Sequence, residues 1–559
     1  MMNGKTEIRR LLCLLLTAVL CIGILSACAR PGSSGVPSEP EPEPMSQSNP
    51  SRYIVAVEDE PDTVDFQCTS IHYTVAQNVF DRLVEMENDA EGKAQILPSL
   101  AESWNLSEDH RCYTFRLRKG VRFSNGSPLT ASDVEYTFTR LLTHPDSCNQ
   151  DVIDCVLGAH ALESGEADRL EGFQVLSELD FTVTLEQPFE AFLACLSMPG
   201  ASILDAETTE KAGDRFGIDP TWTIGTGSFI LRSWVPGKGM ILTANEDCWK
   251  GAPKCAGLDL RFMIDQEEIR LLFENGGLDL LDLEEVGRAA EYFLHGSVYR
   301  DRLYEVHRVG ITYIALNETV EPLADVRVRK ALQLALNRRV LLDAAYGGRG
   351  WLENGIMPHG LSGFNPDLAE LPYDPEQAKS LLAEAGYPDG FAFRFSVSAA
   401  SPMSEMDMVR AAVSMWEDVG VHASVDVLND REFMRRRKNG EIECFQATWT
   451  ADFNDPDNFF YTFFGNEENT RFRSLCYPRT EIMQRVRDAR MISDPDARLE
   501  EYRELERIIV QEDCAWIPLF TRLRFYVTSE RLNGMCSYWN GSVKNMYRVM
   551  SITENGGEK

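Results

Sequence analysis

CYTFRLRKGVRFSNGSPLTASDVEYTF, residues 112–138, contains a strand, a turn and a helix start in immediate succession. From Cys112 to Arg118 apolar and polar residues alternate with period two, as a half-buried strand requires, and Lys119-Gly120 closes the run. Val121-Arg122-Phe123 leads into the turn Ser124-Asn125-Gly126, which predicts two strand pieces bounded by glycine turns. Thr130 then caps a helix with Asp133 in its first turn, a capping box in which Asp replaces Glu. Strand and helix signals this close together point away from a pure bundle or sandwich.

Outward from that stretch the same mixture continues. Asp374-Pro375-Glu376-Gln377 supplies an N-cap, a proline at the first helical position and a glutamine at the third, and the helix runs through Leu381, Leu382 and Ala385 to Gly386. Further helices are expected from about 405 to 419, stopped by Gly420, and from 496 to 511, where Leu499, Tyr502, Leu505, Ile508 and Ile509 share a face. Strands are expected at 391–397, 422–427 and 443–449, with an opening strand at 53–57 and a helix over 75–83. The fold class is therefore α/β or α+β, with no internal repeat and room for about three domains.

The N-terminus reads as an export signal. Lys5, Arg9 and Arg10 precede an apolar run from Leu11 to Leu25, broken only by Thr17 and Gly23. The run is shorter than the ~20 residues of a spanning helix. It ends in Leu25-Ser26-Ala27-Cys28, which resembles the bacterial lipobox. Residues 1–27 are then a lipoprotein signal peptide, and Cys28 is the acylated anchor on the outer face of the cytoplasmic membrane. Residues 28–51, centred on Glu39-Pro40-Glu41-Pro42-Glu43-Pro44, offer little to bury and serve as an extended tether.

Charge removes several function classes. The formal net charge of −32 argues against nucleic acid and against docking on anionic lipid, because both need basic faces. Membrane association must come from the acyl chains. Of 14 cysteines, Cys13, Cys21 and Cys28 fall in the leader and anchor, which leaves an odd number in the body and no CxxC. Cys148/Cys155 and Cys248/Cys255 are spaced for bridging, but free thiols are the expectation, as for a protein exported in an anaerobic habitat. HExxH, GxSxG and GxxxxGKS/T motifs are missing and the eight histidines are scattered, so neither catalysis, a metal nor a cofactor is expected. Carboxylate pairs alone do not exclude a glycosidase in so acidic a chain.

From Leu97-Pro98-Ser99-Leu100-Ala101-Glu102-Ser103-Trp104 onward the chain resembles the oligopeptide- and dipeptide-binding family of extracellular solute-binding proteins, family 5. The likeness continues through residues 113–138, Gly225-Thr226-Gly227-Ser228-Phe229 with Trp234, Asn245 and Trp249, then 324–338, 373–391 and 449–460. The resemblance implies a two-lobed periplasmic-binding-protein-like fold (type II, cluster C) with an extra domain inserted in the first lobe. Lobe I would comprise 52–95, 220–310 and 515–559, the inserted domain 96–219, and lobe II 311–514. It also implies a monomer that captures peptides and hands them to the permease subunits of an ABC importer.

Site residues follow from the same resemblance. Two strand edges would satisfy a peptide main chain by β-augmentation: Ser70-Ile71-His72, with Tyr73 beside it, and Thr448-Trp449-Thr450. Asp452 matches the carboxylate that pairs with the ligand's α-ammonium group. The residues alone leave a second reading open, since each Asp and Asn of 452–458 also suits a turn or cap. Trp449 is either a wall of the ligand site or core filling, and a lone histidine such as His72 is commonly structural. Gly225 and Thr226 are expected on the hinge side, where the chain crosses between lobes, the bland alternative being a tight turn. Dipeptide-specific relatives place an arginine in the stretch matching 398–402; here it reads Ser398-Ala399-Ala400-Ser401-Pro402, which points to longer peptides. Thr450 stands where some oligopeptide binders have a bridged cysteine. Relatives of this architecture also bind oligosaccharides, nickel complexes or haem, and a ligand sensor is a third class.

Overall fold

The computed structural model describes residues 49–57, 60–69, 72–89, 93–263, 265–543 and 546–553. The signal peptide, Cys28 and almost all of the tether lie outside the described residues, as do Ser70 and Ile71. Among the described residues no helix is long and apolar enough to cross a membrane.

The architecture is mixed α/β, as the alternation of strand and helix signals requires. Its backbone is a sheet in which the 13-residue strand Trp516–Thr528 is shared by two halves. Its first part pairs with Gly310–Leu316 and Gly350–Leu352, and its second part with Leu303–His307 and Leu280–Asp282. Beyond Leu280–Asp282 the sheet continues through Arg52–Val57, Gly257–Phe262, Gly239–Ala244 and Phe229–Val235. Beyond Gly310–Leu316 it continues through Cys444–Thr450, Phe391–Ser398 and Val421–Leu428. Two chain segments, 303–316 and 516–528, thus run antiparallel from one half into the other. Where they cross, the Thr521 hydroxyl lies within hydrogen-bond distance of two acceptors, Gly310 O at 2.6 Å and Glu353 Oε1 at 2.5 Å.

The opening stretch folds as its pattern dictates. Cys112–Leu117 is the second strand of a separate four-stranded antiparallel sheet, between Ala101–Leu106 and Asp180–Thr184, with Phe173–Val175 outermost. Tyr113, Phe115 and Leu117 point into the core while Thr114 and Arg116 face solvent. Helix Ala131–Thr143 is opened by the expected capping box, the Asp133 carboxylate accepting from Thr130 N at 2.8 Å.

Helix Pro375–Glu384 starts on Asp374, whose carboxylate accepts from Gln377 N at 2.9 Å. The helix expected over 496–511 divides: Pro495–Arg507 is α-helical and Ile508–Glu512 forms a π turn. The helix expected over 75–83 is shorter, Thr74–Val79, because the Val79 carbonyl is taken by Gly227 N at 2.8 Å. All eleven cysteines of the described body are free thiols.

Candidate functional site

Strand Cys444–Thr450 has one satisfied edge and one open edge. On one side it is paired along its whole length with Gly310–Leu316, Thr450 opposite Gly310 and Thr448 opposite Thr312. On the other side only Cys444 and Phe445 have partners, Phe395 and Ser396. From Gln446 to Thr450 that edge carries no strand neighbour among the described residues, and all five residues are half-buried. Backbone N–H and C=O groups in that position seek partners, so the edge is a template for an extended guest.

The chain then turns, and every acidic or amide group of the turn has a distinct use. Asp455 forms a two-pronged ion pair with Arg498 at 2.7 and 2.8 Å, anchoring the turn to helix Pro495–Arg507. Asp457 opens helix Asp457–Phe464 and pairs with Arg490 at 3.0 Å. Asn458, buried in the same helix, accepts at Oδ1 from the Asp452 backbone N–H at 3.0 Å and from the Trp449 indole N–H at 3.3 Å. Its Nδ2 donates to Asp452 Oδ2 at 3.2 Å. Among the described residues Asp452, unlike Asp455 and Asp457, has no cation within ion-pair distance, so the capping reading that suited each residue of the turn does not account for it.

Asp452 is wetted yet enclosed. Its surface is exposed, while burial pushes its carboxyl up to about 6, opposed by the Asn458 hydrogen bond and assisted by the charge of Asp151. Both facts fit a carboxylate lining a narrow aqueous crevice with protein on its far side. Tyr73 and Asp151 lie within electrostatic reach of Asp452: the charge of Asp151 adds to the rise of the Asp452 carboxyl, and the Tyr73 hydroxyl is pushed up chiefly by burial, with Asp452 adding to the shift. Asp452 is therefore electrostatically coupled to residues outside its own half of the sheet. Arg490 reaches across as well, its guanidinium 4.4 Å from the Phe189 ring centre.

The opposing wall is held by a residue that sequence reading passed over. Asn149 Nδ2 donates to Phe66 O at 2.9 Å and to Thr69 O at 2.7 Å, and its Oδ1 accepts from the Tyr73 hydroxyl at 3.1 Å. It fixes the segment leading to the other expected edge, of which Ser70 and Ile71 lie outside the described residues. His72 is half-buried with φ of 61°, the left-handed conformation of a sharp turn. Trp449 packs its ring edge-on against Phe463 at 5.4 Å and remains partly exposed beside the open edge. Thr448 and Thr450 point to the other face, toward Thr312 Oγ1 at 2.9 Å and Arg308 Nε at 2.9 Å.

Gly225 and Thr226, expected on the hinge side, pack against the end of helix Thr74–Val79. A Cβ on Gly225 would stand 2.0 Å from Val79 O, and Thr226 is fully buried with its hydroxyl donating to Asp81 at 2.9 Å. Their role is close packing on the end of helix Thr74–Val79; the crossings between halves are 303–316 and 516–528. Asp81 is a hub missed from sequence, since Trp249 Nε1 donates to it at 2.8 Å and Lys250 pairs with it at 2.9 Å and with Glu85 at 2.6 Å. Among the described residues no group of His, Cys, Asp or Glu is arranged to hold a metal ion.

Comparison with known proteins places this geometry. Residues 95–471 match the sequence model of the bacterial extracellular solute-binding proteins, family 5 (middle region). Heme-binding protein A of Haemophilus influenzae is 29% identical over 482 residues, covering 82% of this chain and 84% of its own. The dipeptide-binding protein of Escherichia coli is 29% identical over 463 residues, covering 78% and 82%. Among solved structures, HbpA2 from Haemophilus parasuis superposes with a TM-score of 0.75 at 25% identity, over 90% of this chain and all of that one (100%). The periplasmic binding protein DppA from Helicobacter pylori, solved with the peptide STSA, gives 0.72 at 22% identity, over 90% and 99%, and shares the fold.

Proposed function

The chain belongs to the bacterial extracellular solute-binding proteins, family 5, and from that membership we propose that it captures peptides between two lobes and delivers them to the permease of an ABC importer. The observation that carries the peptide reading is Asp452, a carboxylate without an ion-pair partner among the described residues, two residues beyond the open edge Gln446–Thr450. An extended peptide aligned on that edge has its main-chain groups satisfied and its α-ammonium group beside Asp452. Peptide-binding relatives such as the Escherichia coli dipeptide-binding protein support the same reading.

We take lobe I as 52–95, 220–310 and 515–559, the inserted domain as 96–219 and lobe II as 311–514; the paired crossings 303–316 and 516–528 support a hinge there. Binding is stoichiometric, without turnover, by a monomer tethered through acylated Cys28. Ligand favours the closed form only by its preference for that form. Mass spectrometry of material released from the purified protein tests the cargo: peptides are expected, and a non-peptide solute bound one to one would overturn the reading.

Haem is the second reading, favoured by the likeness to heme-binding protein A. Addition of haemin to the purified protein separates the two. The peptide reading expects no stoichiometric Soret shift, and such a shift displaced by no peptide would replace it.

A further inference from the structure

In a chain with 87 acidic and 55 basic residues, cations are the minority and carboxylates abound to neutralise them. In helix Asp430–Lys438, Arg435 pairs with Glu432 and Glu441, and Arg436 with Glu432 and Asp426. The next two residues break the pattern. Among the described residues Arg437 and Lys438 have no carboxylate within ion-pair distance, and neither has Arg473. Arg437 Nε is buried with no hydrogen-bond partner. Arg473 is half-buried, its guanidinium 4.6 Å from the Trp449 ring centre and 5.1 Å from that of Phe463. Ser474 Oγ donates to Arg437 O at 2.8 Å, which ties the two segments together.

This cationic group is not remote from the crevice. Trp449, on which Arg473 is seated, belongs to the open edge, and Arg473 and Asp452 feel each other's charge without forming an ion pair. Arg437 and Arg473 also act together on the buried Tyr313, and the charge of Arg437 adds to the cost of charge on Arg473. Two neighbouring guanidinium groups sharing no carboxylate are disfavoured unless an anion joins them. A planar fork already held on an aromatic face is preorganised for a carboxylate.

We propose that Arg473, backed by Arg437, is the seat for a carboxylate of the ligand, so that the site reads a guest by a cation at Asp452 and an anion at Trp449. The inference rests on the peptide reading above and adds the residue that takes over the clamp missing from 398–402. The carboxylate is either the peptide's C-terminus or an acidic first side chain, and the chemistry demanded of Arg473 is the same for both.

Calorimetry on the full mature chain tests this with three probes: trialanine, its C-terminal amide, and an amidated peptide with glutamate first. The wild type is expected to bind at least one carboxylate-bearing probe about tenfold or more tightly than trialanine amide. Arg473→Gln should remove that difference, weakening the preferred carboxylate probe about tenfold more than trialanine amide, and Arg473→Lys should restore part of it. Preference for trialanine assigns the C-terminus; preference for the glutamate peptide assigns the side chain. An Arg473→Gln variant that weakens all three probes by one factor reduces the residue to a cap on Trp449 and overturns the proposal, as does equal wild-type affinity for all three. If the wild type binds none of them, the peptide reading itself fails.

Discussion

Asn458 grips Asp452 at both ends, accepting its backbone N–H at 3.0 Å and donating to its carboxylate at 3.2 Å. Asn458 also takes the Trp449 indole N–H, so one buried amide sets the spacing between the acidic group and the aromatic wall. The relationship makes Asn458 a positioning residue for the site, although it faces the protein interior.

Asn458→Ala should therefore separate position from chemistry. Losing three part-buried hydrogen bonds costs about 1–3 kcal/mol of stability, and ligand affinity falls because Asp452 and Trp449 are no longer held in register. Denaturant unfolding and calorimetry on the same preparation check both. Unchanged affinity in a folded variant would show that Asp452 needs no such support.

Binding should depend on acidity in one direction. Burial raises the Asp452 carboxyl from 3.8 to about 6, and a ligand ammonium placed beside it lowers it again. Complex formation then releases a proton, so affinity rises with pH between roughly 4 and 6 and levels off above. For the unliganded fold the sign is opposite: the ionised group is disfavoured there, and stability from this group falls across the same window. Asp151, also pushed up by burial, faces the same crevice, so Asp452→Asn isolates the effect. Titrations at several pH values should show a slope in the wild type that is flattened in the variant.

Gly225→Ala should act on the fold and spare the site. The added Cβ would meet a backbone oxygen at 2.0 Å, in a segment held by Gly227 N to Val79 O. A drop in stability of about 2 kcal/mol or more is expected, with residual folded protein binding normally. A ligand-specific loss at unchanged melting temperature would return Gly225 to the site.

Lys250 is the keystone of a buried ionic cluster on the opposite half. It sits between Asp81 at 2.9 Å and Glu85 at 2.6 Å, and Arg82 adds a bond to Glu85 at 2.7 Å. Burial works to raise Glu85, but Lys250 and Arg82 overcome it and hold the carboxyl at about 2. Its contribution is thus present above the ordinary value of 4.5 and lost as pH falls through about 2. Lys250→Met strands two carboxylates and should cost about 3–5 kcal/mol, moving acid unfolding to higher pH with affinity retained. Acid titration of both proteins by circular dichroism checks this.

Much of this was readable from local signals. The capping box at Thr130, the N-cap at Asp374, the alternation of Cys112–Leu117 and the strand Phe391–Ser398 depend on neighbours within a few residues, and the sequence contains those neighbours. Asn149, Asn458 and Arg473 were not readable for the opposite reason. An asparagine near a turn or an arginine after a helix looks generic, and its role comes from partners brought in by the fold, such as Phe66 and Tyr73 for Asn149. Trp516–Thr528 was missed as the shared strand because its two ends serve different halves. The glycines at 225 and 227 mark a place where backbone can come close, but the sequence does not say that Val79 is what approaches them.

Calorimetric titration of the mature protein and its Asp452→Asn variant, with trialanine and with N-acetyl-trialanine, tests the central claim most directly. The account predicts that the wild type prefers the free amine, that Asp452→Asn gives up about 2–5 kcal/mol of that binding, and that melting temperature does not fall. Equal affinity of both proteins for the free peptide, or indifference of the wild type to acetylation, would contradict it.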